Sequence, residues 1–145
     1  MDKFEEICRK HDLRITPQRV AIYRELTGDK SHPTADMIYR RMRKIFPFIS
    51  FDTVNRTLNT FAQIGLIDSV ECSGRGSRYD PNTERHHHLR CIQCNKISDF
   101  YDSSLDKIEI PKHVHEGFTV LNTSVVLTGI CINCSKKGDS NGNKR

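Results

Sequence analysis

Two cysteine pairs constrain this chain more than any other feature. Cys91 and Cys94 bracket Ile92-Gln93, and Cys131 and Cys134 bracket Ile132-Asn133. A two-residue gap lets a tight turn present both sulfurs to one ion. Two such knuckles complete a tetrahedron, the arrangement zinc takes with four thiolates. A site closed by four protein ligands supports folding and leaves no open position for catalysis. The pairs stand further apart than in a compact zinc ribbon, so a strand–helix–strand excursion has to bring them back together at the base of one sheet. The competing reading is a redox dithiol, which needs a strand–CxxC–helix context that the flanking sequence does not display. Cys8 and Cys72 lie outside the set and read as buried or incidental thiols.

Small lobes gain from such a clamp. The chain has 145 residues, enough for one domain or two small lobes. Lobes of that size bury little apolar surface and lean on metals or oligomerisation. No apolar run approaches the ~20 residues of a membrane helix. The opening residues MDKFEEICRK lack an apolar signal core. The expected compartment is the cytoplasm, where paired thiols stay reduced and bind metals. The net charge of +5 permits a nucleic-acid partner. The basic residues concentrate early, at Arg9, Lys10, Arg14, Arg19, Arg24, Arg40, Arg41, Arg43, Lys44 and Arg56.

Helical signals fill the first half. A short helix is expected over 3–11, with Phe4, Ile7 and Cys8 on one side. Thr16 followed by Pro17 marks the start of a second, which Gly28 ends. A third follows Thr34, with Ala35, Ile38, Met42 and Ile45 at helical spacing, and Pro47 stops it. Ser50 opens a fourth, FDTVNRTLNTFAQI, whose apolar stripe is Val54, Leu58, Phe61 and Ile64 and whose end is Gly65. Its opposite face carries Asp52, Thr53, Asn55, Arg56, Asn59 and Thr60. Leu66-Ile67 and Ser69–Cys72, the turn SGRGS and Ser77–Asp80 read as a hairpin. Three helices and a hairpin form a winged helix-turn-helix pattern, with the fourth helix in the major groove and Arg75 at the hairpin tip. The alternative is an amphipathic helical subdomain with a solvated polar face.

After Asp80 the character changes. The polar stretch PNTERHHH is a natural lobe boundary. LRCIQCNKISDFY reads as strand, knuckle and strand; SSLDKIEIP as a short helix; FTVLNTSVVLTGIC as a strand. The tail over 136–145 has no apolar anchor and is expected to be disordered. His86 and His88 stand two apart, so in extended chain they face the same way while His87 points elsewhere. Asp80 ends the hairpin nearby, Asp99 lies on the strand after the first knuckle, and His32 sits in the first half. Imidazoles mixed with carboxylates suit iron(II), manganese(II) or zinc. A solvated histidine loop is the plain alternative. No nucleophile–base pattern or phosphate loop accompanies the cluster, so an enzyme is not expected.

The segments RITPQR, HPTADMIY, ISFDTVNRTLNTF, GLI, SRYD, HHHLRCIQCNKISDF and GICINC together resemble the ferric uptake regulator family of bacterial metal-dependent repressors. The resemblance implies an α+β protein with a winged helix-turn-helix DNA-binding domain over 1–80. It implies an α/β dimerisation and metal-binding domain over 81–135. It also implies a homodimer on palindromic double-stranded operator DNA, with structural Zn2+ on the four cysteines of each subunit. The regulatory site carries over onto His32, Asp80, His86, His88 and Asp99, taking Fe2+ or Mn2+, with Zn2+ able to enter in vitro. An ion held there fixes the angle between lobes and shifts the population toward the DNA-competent arrangement. The aspartate pair, Asp80 and Asp99, is similar to the peroxide-sensing branch, in which His32 and His86 are the oxidation-sensitive candidates. Arg56 is similar to the iron-uptake branch, which senses metal concentration. The candidate DNA contacts are Thr53, Asn55, Arg56, Asn59, Arg19 and Arg75. Asn55 stands where the family usually has a tyrosine. Arg85, His87, Asp106 and Thr123 stand where iron regulators have a further metal site.

Overall fold

The computed structural model describes residues 1–72 and 76–142. The chain divides into two compact units, Met1–Thr83 and Glu84–Arg145. The division falls within the polar stretch PNTERHHH, three residues beyond Asp80. Among the described residues, no helix is long and apolar enough to cross a membrane.

The first unit runs α1 (Asp2–Lys10), α2 (Pro17–Thr27), α3 (Ala35–Ile45), α4 (Phe51–Gln63), β1 (Asp68–Cys72) and β2 (Gly76–Asp80). Side-chain caps set three of the helix starts. Thr16 accepts from the Arg19 N–H at 3.3 Å, Thr34 from Met37 at 3.2 Å and Ser50 from Thr53 at 3.1 Å. Gly65, at φ 75°, supplies the left-handed residue that ends α4. The apolar stripes of the four helices close on one core. Phe4, Ile22, Leu26, Ile38, Met42, Val54, Leu58 and Phe61 are fully buried there. Phe4 stacks on Tyr23 at 4.9 Å and meets the edge of Phe61 at 5.9 Å, which fastens α1 to α2 and α4. The strands β1 and β2 pair antiparallel, from Asp68 opposite Asp80 to Cys72 opposite Gly76. Leu66 and Ile67 are buried under this hairpin without joining it, so β1 starts later than the sequence predicts.

The second unit runs β3 (His87–Cys91), β4 (Ile97–Phe100), a 3-10 turn (Leu105–Lys107), α5 (Lys112–His115), β5 (Val126–Gly129) and α6 (Ile132–Gly142). The sheet order is β4-β3-β5, with β4 antiparallel and β5 parallel to β3. This unit has little apolar core. Among its described residues, Cys91 and Ile97 are the buried apolar side chains, while Leu89, Ile92, Phe118, Leu121, Leu127, Ile130 and Ile132 are exposed.

Two expectations need correction here. Of FTVLNTSVVLTGIC, Val126–Gly129 alone is strand, because β3 offers that segment a short edge, His88 to Cys91. The tail expected to be disordered from Lys136 continues as α6 through Gly142. The second knuckle starts that helix: the Ser135 N–H reaches the Cys131 carbonyl at 2.9 Å, so the costly first turn is already formed.

Candidate metal centres and nucleic-acid interface

The four cysteines meet at the end of the second unit's sheet. Asn95, at φ 61°, turns the first knuckle, and the Cys91 N–H bonds the Lys96 carbonyl at 3.0 Å. The second knuckle follows β5 and runs into the first turn of α6, and the Ile92 N–H bonds the Gly129 carbonyl at 2.9 Å. The sulfurs of Cys91, Cys94, Cys131 and Cys134 all lie within 4.8 Å of one another, and Cys94 Sγ is 3.8 Å from Cys131 Sγ. Zinc–sulfur bonds of ~2.3 Å place tetrahedral sulfurs ~3.8 Å apart, so the set fits zinc. Backbone N–H groups prepare the ligands. Those of Cys131 and then Cys94 draw the Cys91 thiol down to about 6. Cys131 itself is lowered, first by the Cys134 N–H. Contact with Cys131 and its neighbouring thiols pushes Cys134 up to about 12, because several sulfurs in one place cannot all carry charge without a cation.

In the first unit, His32 and Asp80 form a buried pair, Nε2 to Oδ2 at 3.1 Å. Both residues are 3% exposed. His32 holds a left-handed backbone, φ 56°, a conformation that costs a non-glycine residue about 1–2 kcal/mol. The strand β2 keeps it there. Arg78 donates from its guanidinium to the carbonyls of His32 and Ser31. The Tyr79 N–H donates to the Pro33 carbonyl at 3.0 Å. At the loop's other end Asp29 accepts from the Ser31 N–H at 2.7 Å and pairs with Arg41 at 2.6 Å. The sequence reading missed Arg78. Its signal was present, since Arg78 and Asp80 share a strand face by the two-residue period.

In the second unit, His86 Nε2 is 3.0 Å from His88 Nε2, and Asp99 Oδ1 lies 3.5 Å from the first and 3.3 Å from the second. Asp99 is the register partner of His88 across β3–β4. The Glu84 carbonyl accepts from His86 Nδ1 at 2.5 Å, which puts the proton on Nδ1 and leaves the Nε2 lone pair toward His88. Neighbouring ligands ~3 Å apart are what metal–nitrogen bonds of ~2.1 Å produce, so these three side chains fit a divalent ion. His87 points away, as expected. Its Nε2 meets Asp106 at 2.8 Å, and its Nδ1 accepts from the Val125 N–H at 3.1 Å. Arg85 lies 3.6 Å from the same carboxylate and donates to Thr123 at 2.6 Å. His87 and Arg85 thus share the Asp106 carboxylate.

The sequence-predicted reading residues sort unevenly along α4. Arg56 and Asp52 are exposed and paired, Nη2 to Oδ2 at 2.9 Å. Asn55 is half-buried. The Thr53 hydroxyl bonds Ser50 at 2.9 Å, and Asn59 accepts from the Tyr79 hydroxyl at 2.9 Å. Arg19 donates to the Arg14 carbonyl. Arg75 lies outside the described residues.

The chain is similar to known proteins. The peroxide-responsive repressor PerR of Staphylococcus epidermidis is 40% identical over 132 residues, spanning 90% of this chain and 87% of its own. The solved structure of PerR from Streptococcus pyogenes is 34% identical with a TM-score of 0.51, over 90% of each chain. The Campylobacter jejuni peroxide stress regulator is 30% identical with a TM-score of 0.66, over 89% of this chain and 97% of that one. The α+β architecture, a winged helix-turn-helix followed by a small α/β domain, is the architecture of these proteins. Residues 10–128, drawn from both units, match the Ferric uptake regulator family, and the chain belongs to that family.

Proposed function

We propose that this chain is a metal-dependent, DNA-binding transcriptional repressor that peroxide inactivates. The observation that carries the reading is the His86–His88 pair, 3.0 Å apart with Asp99 within 3.5 Å of both. It is a largely buried nitrogen–oxygen donor set suited to iron(II) or manganese(II). His32 and Asp80 join His86, His88 and Asp99 around one regulatory ion, and Zn2+ can take the same place in vitro. Iron held there would activate hydrogen peroxide, which gives one oxygen atom to a ligand imidazole and leaves as water. His32 and His86 are the imidazoles at risk. Oxidation is sacrificial, so the protein is a sensor and not an enzyme.

Zn2+ on Cys91, Cys94, Cys131 and Cys134 braces the second unit. The exposed Leu89, Leu127, Ile130 and Ile132 suit a homodimer. The dimer presents two α4 helices to successive major grooves of a palindromic operator, with Thr53, Asn55, Arg56, Asn59, Arg19 and Arg75 at the DNA. It works in the cytoplasm.

The test is protein purified without air, loaded with iron(II), and challenged with hydrogen peroxide. A one-oxygen mass gain on the His32 or His86 peptide, with loss of operator binding in a gel shift, is the expected result. Unmodified peptides with binding intact would overturn the peroxide reading. Binding that follows metal concentration and ignores peroxide would point to a metal-uptake regulator, the second reading, which Arg56 favours.

A further inference from the structure

The polar face of α4 is less free to read DNA than its sequence implies. The Thr57 hydroxyl donates to the Thr53 carbonyl at 2.7 Å, and the Thr60 hydroxyl to the Arg56 carbonyl at 2.9 Å. The Thr53 hydroxyl is engaged with Ser50, and the Asn59 carbonyl oxygen with Tyr79. What stands clear is the pair Asp52–Arg56, with side chains 65% and 79% exposed.

Asp52 lies in the first turn of α4, where a carboxylate favours the helix N-terminus, but its side chain also stands on the face offered to DNA. An exposed ion pair one helical turn apart adds little to stability. A carboxylate on a DNA-facing helix meets phosphate charge and weakens binding to every sequence. Asp52 does one thing that offsets this. It accepts from Arg56 Nη2 at 2.9 Å, which draws the guanidinium to one side of the helix while the remaining N–H groups stay available. A guanidinium already drawn to one side meets the two acceptors on a guanine edge, O6 and N7, with less ordering cost on binding.

We propose that Asp52 is a positioning residue that sets Arg56 to read a guanine in each operator half-site. The inference rests on the DNA-binding reading above. It assigns to Asp52 a role in sequence discrimination and not in affinity.

The experiment is selection from a random-sequence duplex library by the full chain loaded with manganese(II). Wild type, Asp52→Ala, Asp52→Asn and Arg56→Ala are compared, each checked for an unchanged helical spectrum. Wild type should enrich a guanine that Arg56→Ala no longer selects. Asp52→Ala should keep or raise its affinity for unrelated DNA while preference at that one guanine falls by about tenfold, within the range of a bidentate arginine contact. Asp52→Asn, which retains an acceptor oxygen, should restore part of the preference. Replacing that guanine with 7-deazaguanine should weaken wild type and leave Asp52→Ala nearly unchanged. If Asp52→Ala tightens all sequences alike and still selects the guanine, or if Arg56→Ala keeps it, the positioning role is overturned and DNA binding stands. If wild type enriches no sequence, the DNA-binding reading itself is overturned.

Discussion

His32 Nε2 lies 3.1 Å from Asp80 Oδ2 although the two residues are 48 positions apart, and the backbone of His32 is held left-handed to achieve it. The contact exists because β2 binds the loop ahead of α3 through its side chains and its backbone. The geometry of the His32–Asp80 pair therefore depends on residues outside it.

Arg78 is the chief of these. Removing its guanidinium leaves the carbonyls of Ser31 and His32 without this donor. Arg78→Ala is expected to cost about 2 kcal/mol of stability in urea unfolding, as loss of a charged hydrogen bond does. Regulatory-metal affinity should fall about tenfold or more, as when an outer-shell partner is lost. Isothermal titration with manganese(II) reads the second effect. Unchanged affinity would separate Arg78 from the metal site.

Asp29 predicts a pH dependence. Burial alone would raise its carboxyl, but hydrogen bonds from Ser31 and the Arg41 guanidinium hold it below its ordinary value of 3.8. A lowered folded-state value means the stabilisation is complete above the unfolded value and is lost as pH falls through the folded one. Asp29→Ala should therefore lower stability by about 1 kcal/mol near neutrality. It should also flatten the acid limb of the stability–pH curve below pH 3.8. Thermal melts from pH 3 to pH 7 (roughly the span in which carboxylates titrate) would show a parallel offset instead if the pairing contributed nothing.

The second unit should fail without its zinc. Its buried apolar side chains are few, so the four-thiolate clamp replaces a core. Cys94→Ser is expected to abolish stoichiometric zinc in metal analysis and to melt this unit first. A loss of even ~2 kcal/mol would lower its midpoint by ~10 °C at this size. Hydrogen exchange would show protection lost over β3, β4 and β5 and kept over α2 to α4. Uniform loss across the chain would contradict separate cores.

Phe4→Ala tests the first core. Phe4 is fully buried against Tyr23 and Phe61. Its truncation should cost about 3–5 kcal/mol in chemical denaturation. A cost below 1 kcal/mol would mean that α1 is not part of the cooperative unit.

Much of this architecture was legible because its causes are local. The caps Thr16, Thr34 and Ser50, the stops at Gly28 and Gly65, and the spacing of the cysteines act within a few residues. The divergence of His87 from His86 and His88 follows from strand alternation alone. What escaped depended on partners distant in sequence. Asn59 reads as a free base-contacting amide until Tyr79 arrives from the hairpin. Arg78 reads as one more basic residue until its two carbonyl partners, some 46 positions earlier, come into place. The length of β5 depended on how much edge β3 had to offer, and α6 on a turn already closed by the knuckle.

Tyr79 and Asp80 are adjacent on β2, so their side chains leave opposite faces of one strand. One holds His32 and the other, through its hydroxyl, holds Asn59 of α4. One strand thus seats the His32 loop on one face and α4 on the other. A tilt that adjusts Asp80 also turns the seat under Asn59, with no relay of loops between them.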